Sequence, residues 1–150
     1  MRRLLTLGLV IGALSAGCSG GGGGGDLPAM PQKTIKDQVQ LYAGITLAAS
    51  GVATFTRSAT NVTGCPQGHG RLSDPDETFY VQGLYLLTVP DGQEAATLAK
   101  VGDEWRRDGY TVGSPATAAA GLHATTPDHY TLDLAPDLRL SIASQCFRTG

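Results

Sequence analysis

Ile35, Val39, Tyr42 and Ile45 recur every three or four residues, and Lys33, Lys36, Asp37 and Gln40 fall mostly off that stripe. A period near 3.6 predicts an amphipathic helix over residues 31–49. Pro31 suits its first turn and Gly51 its stop. Residues 52–62 are Thr-rich and β-branched and predict a strand ending near Cys65-Pro66. Residues 64–77 are rich in Gly, Pro and Asp and predict a loop. From 78 to 89 both parities are apolar: Phe79, Val81, Tyr85, Leu87 and Val89 on one, Tyr80, Leu84 and Leu86 on the other. A strand of that kind is expected at the centre of a sheet covered on both faces, the alternative being a solvated second face that would leave Leu84 and Leu86 exposed.

Pro90-Asp91-Gly92-Gln93-Glu94 predicts the entry to a second helix, with Asp91 as cap and Glu94 completing a capping-box-like pair. Ala95, Leu98, Gly102 and Trp105 share a face, and Gly109 supplies a left-handed stop. Trp105 is expected to pack this helix on the sheet. Residues 110–113 predict a short strand, and 114–121 a loop of small residues. Residues 122–126, 130–134 and 138–146 predict a meander turning at Pro127-Asp128 and Pro136-Asp137. Leu138, Leu140, Ile142 and Cys146 share one parity, which turns Cys146 inward unless a bulge intervenes. The fold class is α+β, a mostly antiparallel sheet of about five strands with two helices packed on it. The element order is helix, two strands, helix, three strands.

Met1-Arg2-Arg3 is a basic start, residues 4–14 are apolar apart from Thr6, Gly8 and Gly12, and Ser15-Ala16-Gly17 are small. That is the layout of a secretory leader. Leu14-Ser15-Ala16-Gly17-Cys18 resembles the lipobox of bacterial lipoproteins, with Leu one place earlier than the family favours. The resemblance implies a diacylglyceryl group on the Cys18 thiol and cleavage just before it. The domain plan that follows is a signal peptide over 1–17, a lipidated cysteine and tether over 18–30, and one folded domain over 31–150. Six glycines, Gly20 to Gly25, make the tether a flexible coil whose reach over about twelve residues is roughly 20 Å.

Lipidation of Cys18 leaves Cys65 and Cys146 of the three cysteines. Export places those two in an oxidising compartment, where they are expected to pair. The alternative for Cys65 is a reactive or metal-bound thiolate. Loss of Arg2 and Arg3 with the leader leaves nine basic residues against thirteen acidic ones. An acidic domain has no electrostatic draw to anionic lipid or nucleic acid, so the diacylglyceryl anchor alone is the membrane partner. The expected location is the extracytoplasmic face of the cell membrane.

A second resemblance rests on Asp-Glu-Trp-Arg-Arg-Asp-Gly-Tyr at 103–110, Thr-Pro-Asp-His-Tyr-Thr-Leu at 126–132 with Thr125 before it, and Ser-Gln-Cys at 144–146. Eight Arg against three Lys and abundant Ala and Gly agree with it. These features look like small lipoproteins of high-GC Gram-positive bacteria. That resemblance implies a fold and a location, and no reaction.

Candidate chemistry is sparse. His69 stands four residues after Cys65, which suits two metal ligands where a site needs three or four. His123 and His129 flank a predicted turn, where Asp128 or Asp133 could join them. Asp74, Asp76 and Glu77 share one loop with Pro75, without the alternating oxygens and closing Glu of a calcium loop. No Gly-x-Ser-x-Gly elbow or His-Glu-x-x-His is present. The expectation is a non-catalytic binding or protein-interaction module of the cell envelope, with no cofactor. One alternative is a small hydrolase or metal-binding protein using His69, His123 or His129. Another is a regulator of a membrane sensor.

Overall fold

The first helix, α1, spans Gln32–Ser50 in the computed structural model, which describes residues 27–52, 54–113 and 120–150. The leader, Cys18, the tether through Asp26 and residues 114–119 of the expected small-residue loop lie outside the described residues. The buried stripe of α1 runs through Ile35, Val39, Tyr42 and Ala43 and then on to Thr46 and Ser50. Ile45 is only half-buried, because Thr46 takes the inward position. A buried hydroxyl needs partners. The Thr46 hydroxyl donates to the Tyr42 carbonyl at 3.0 Å and accepts from Trp105 Nε1 at 3.2 Å.

The second helix, α2, spans Glu94–Arg107. Asp91 does not cap it. The Gln93 N–H donates to the Pro90 carbonyl at 3.0 Å and closes a turn, so the helix starts with Gln93 at the cap position and no side-chain cap. Thr97, Leu98, Val101, Gly102 and Trp105 are its buried residues, and Ala95 is exposed. Its end is as expected. Gly109 takes φ 82° and donates to the Arg106 carbonyl, while the Tyr110 N–H reaches back to the Trp105 carbonyl at 2.9 Å. This pair of bonds is a Schellman stop, with the Tyr110 and Trp105 rings packed 6.4 Å apart as its apolar contact.

Among the described residues there are ten strands, in chain order β1 Ala29–Met30, β2 Arg57–Gly64, β3 Pro66–Gln67, β4 Arg71–Leu72, β5 Thr78–Leu86, β6 Thr111–Val112, β7 Leu122–Thr125, β8 Thr131–Leu134, β9 Arg139–Ala143 and β10 Phe147–Thr149. β3 and β4 form a separate small hairpin inside the stretch expected to be a loop. The other eight make one sheet. β5 is its axis. β2 pairs antiparallel along one side of β5, and β9 and β10 share the other side. β9 leads on through β8 and β7 to β6, all antiparallel. β1 adds parallel to β10, so Ala29 and Met30, placed in the tether by sequence, belong to the sheet.

The architecture is therefore α+β, with more strands than five. The last expected strand is interrupted. Ala143 pairs with Gln82, but Phe147 pairs with Phe79, so the register slips by one residue between them. A one-residue slip of this kind is a β-bulge. Ser144 fills it: its N–H donates to the Val81 carbonyl and its hydroxyl accepts from the Val81 N–H, both at 2.9 Å. Parity inverts across the bulge. Leu138, Leu140 and Ile142 point inward before it and Phe147 after it, so Cys146 does not share the inward parity and is half-buried.

Both helices pack on one face of the sheet. The core lies between: Ile35 and Val39 from α1, Val101 and Trp105 from α2, and Phe79, Val81, Leu132, Leu134, Leu140 and Ile142 from the strands, all essentially inaccessible. Each such side chain contributes roughly 1.5–3 kcal/mol of transfer free energy. Cys65 and Cys146 meet with Cα atoms 5.9 Å apart as a disulfide that ties the end of β2 to the β9–β10 connection.

Candidate binding surface

Alternation along each strand assigns every second residue to the face opposite the helices. On β5 these are Tyr80, Gln82, Leu84 and Leu86. Pairing adds Arg57, Ala59, Asn61 and Thr63 from β2, Arg139 and Ser141 from β9, Asp133 from β8 and His123 from β7. None of these residues is buried. β5 is therefore covered on one side only, against the expectation of two-sided cover, and Leu84 is 44% exposed. The neighbours explain it. Leu84 pairs with Ala59 and Ser141, and Leu86 pairs with Arg57 and Arg139, so a mostly polar surface surrounds two leucines.

At the Leu84–Leu86 end this face forms a groove of about 1080 Å³. Leu84 and Leu86 contribute its apolar floor, Ala135 and Pro136 stand at the β8–β9 turn, and Gly113 and Gly121 lie at the side of β7. Apolar concavities with a few polar groups at the margin are where binding sites form. Arg57 and Arg139 stand on either side of Leu86. The Arg139 Nε donates to Asp137 Oδ2 at 2.7 Å.

One cross-strand row contains Leu84, Ser141, Asp133 and His123 in that order. His123 Nδ1 lies 2.6 Å from Asp133 Oδ1, with both side chains 60% exposed. A serine nucleophile needs its base within hydrogen-bond reach and an orienting group behind the base. Here the carboxylate stands between the serine and the imidazole. The Ser141 hydroxyl meets Gln82 Nε2 instead, at 3.4 Å.

The three histidines occupy three different places. His123 is on β7. His69 is at the tip of the β3–β4 hairpin with φ 64°, and His129 is in the β7–β8 turn with φ 69°. Cys65, proposed as a partner for His69, is in the disulfide. No group of three or more His, Cys, Asp or Glu that could hold a metal ion occurs among the described residues. Asp74 accepts from the Asp76 N–H at 2.9 Å and shapes its own turn.

Asp128 does not join the histidines. It accepts from the Tyr42 hydroxyl and, at 2.6 Å, from the Thr126 hydroxyl. Tyr42 packs against Tyr110 and Tyr130 at centroid separations of 5.9 and 5.1 Å. Burial pushes the Tyr130 phenol up to about 12 and raises those of Tyr42 and Tyr110, with Asp128 adding to the effect in all three. This cluster joins α1 to the β7–β8 turn as neutral phenols, so it is a structural joint.

The signal for an exposed sheet face, passed over in the expectation of two-sided cover, lies in strand alternation. His123 and Thr125, Thr131 and Asp133, and Arg139 and Ser141 all alternate with buried apolar residues. Among the described residues no helix is long and apolar enough to cross a membrane. No protein family matches the sequence, and neither a curated protein nor a solved structure matches it.

Proposed function

We propose that the chain is a non-catalytic binding module of the cell envelope, anchored by a diacylglyceryl group on Cys18 and engaging a protein partner through the open sheet face. The supporting observation is the groove at Leu84 and Leu86 on a sheet whose helices cover only the opposite face. Apolar side chains of a partner would sit on the two leucines. Ser141, Arg139 and the His123–Asp133 pair form a polar margin suited to hydrogen bonds. The separation of Ser141 from His123 by Asp133 favours binding over hydrolysis.

A photo-reactive residue in place of Leu84, in the full chain in its own envelope, is expected to give an adduct with a protein other than the chain itself. The same residue in place of Leu41, 54% exposed on α1, is the control. No heterologous adduct at 84, or equal adducts at both sites, would overturn the binding surface. The anchor is tested separately: labelled palmitate should enter the wild-type chain and be absent from Cys18→Ala.

A further inference from the structure

Leu86 is the middle of a three-residue row across the open sheet face. Arg57 of β2 pairs with it on one side and Arg139 of β9 on the other. Directly opposed residues share a face, so two guanidinium groups flank one leucine, and all three residues line the groove. Strands lie about 4.8 Å apart, which sets the two arginine Cα atoms roughly 10 Å from each other, a span that two such side chains can close on one anion above Leu86. The next row on the same face is Ala59, Leu84 and Ser141. The groove therefore changes from cationic to apolar over one two-residue step of β5, about 7 Å.

The backbone fixes both arms of the row. On the β2 side the Thr56 N–H and hydroxyl both donate to the Leu86 carbonyl, at 3.0 and 3.2 Å, immediately before Arg57. On the β9 side the Leu87 N–H donates to the Leu138 carbonyl at 3.2 Å, immediately before Arg139. Leu138 has φ 62° and is 1% exposed. A leucine in the left-handed region is strained, and burial of its side chain holds it there. Arg139 follows directly from that strained position. Groups fixed in advance lose less entropy on binding.

Thirteen acidic residues against eleven basic ones make the chain acidic. The groove runs the other way. Asp133 is its one acidic lining residue among those described, and Asp133 Oδ1 is engaged by His123 Nδ1. Arg57 is in no ion pair among the described residues. Arg139 Nε meets Asp137 Oδ2 at 2.7 Å, and the two terminal nitrogens of that guanidinium have no acceptor among the described residues. Donors are thus left over on both sides of Leu86.

We infer that the protein segment bound in the groove carries a carboxylate, held between Arg57 and Arg139, about 7 Å from the apolar side chain that it sets on Leu84. The inference rests on the binding reading above and names the chemistry of the partner. The spacing is that of residues two apart in a strand or one turn apart on a helix. Two arginines, one of them already shared with Asp137, suit a single carboxylate. Anionic lipid surfaces and nucleic acids are recognised by larger basic clusters. The groove has no third Lys or Arg among its described lining residues.

The test uses the full chain in its own envelope with a photo-reactive residue in place of Leu84. The protein adduct expected there should fall at least about fivefold in Arg57→Glu or Arg139→Glu at low salt, where exposed charges are least screened. Arg57→Lys should keep most of the yield. Arg71→Glu, exposed on the β3–β4 hairpin and outside the groove, should keep all of it. With both arginines present, raised salt should lower the yield as well, a readout that needs no change of charge in the chain. Sequencing of the adduct should find Asp or Glu within four residues of the attachment point, and arginine in place of that acid should restore the yield to Arg57→Glu. An adduct at 84 that withstands Arg57→Glu and salt, falls equally in Arg71→Glu, or has no acid near the attachment point overturns the acidic partner and leaves the binding surface standing. No protein adduct at 84, or an adduct with lipid alone, removes the surface and this inference together.

Discussion

Trp105 Nε1 donates to the Thr46 hydroxyl at 3.2 Å, and neither residue is accessible to solvent. The bond joins the last turns of α1 and α2 inside the apolar layer. Deleting a partner there leaves a buried N–H unsatisfied, at a cost of about 1–3 kcal/mol. Thr46→Val preserves shape and removes the acceptor. It should lower unfolding free energy in urea by about that amount, with Trp105 fluorescence as the probe. An unchanged midpoint would show that the bond contributes nothing net.

Much of the fold was legible because it depends on local pattern. The α1 periodicity, the Gly109 stop and the Pro-Asp turns each involve residues close in sequence. Thr46 was not legible as a core residue, since its burial depends on an indole from another helix. The exposure of Leu84 and Leu86 depends on Ala59, Ser141, Arg57 and Arg139 lying beside them, and those pairings exist only after the sheet assembles. The bulge at Ser144 was equally hidden, because one extra residue changes parity without changing composition. Of the candidate surface, the polar alternation of β7 to β9 was readable and the groove was not.

Alkaline pH should loosen the joint at Tyr42, Tyr110 and Tyr130. All three phenols are raised by burial, Tyr130 to about 12. A raised phenol binds its proton more tightly in the folded state than the unfolded value near 10. Its stabilisation is therefore complete below about pH 10 and is lost as pH climbs through 10 toward 12. Urea midpoints should fall over that window, and phenolate absorbance near 295 nm from these residues should rise with unfolding. A midpoint flat across the window would contradict the burial of the cluster.

Gly83 and Gly44 should respond oppositely to alanine. A Cβ on Gly83 would lie 2.6 Å from the Tyr85 ring and from Val39 Cγ1, where α1 crosses β5. Overpacking of that kind costs about 1–3 kcal/mol. A Cβ on Gly44, exposed within α1, meets nothing within 4 Å. Gly44→Ala should stabilise by roughly 0.5–1 kcal/mol through helix entropy. Denaturation of the two variants side by side checks the close approach of α1 to the sheet, and equal effects would refute it.

The Cys65–Cys146 bridge spans 81 residues of sequence, enclosing β3, β4, β5, α2 and all strands through β9. A constraint over a loop of that length removes denatured-state entropy worth on the order of 4–5 kcal/mol. That is a large fraction of the roughly 5–15 kcal/mol that stabilises a domain. Cys65→Ser with Cys146→Ser should therefore lower unfolding free energy by about 2–5 kcal/mol. The same loss should appear in the parent protein under reductant. With Cys18 replaced by Ser, the native chain should show no titratable thiol until it is reduced. Two free thiols before reduction, or a double variant as stable as its parent, would mean that the bridge does not hold β2 to the β9–β10 bulge.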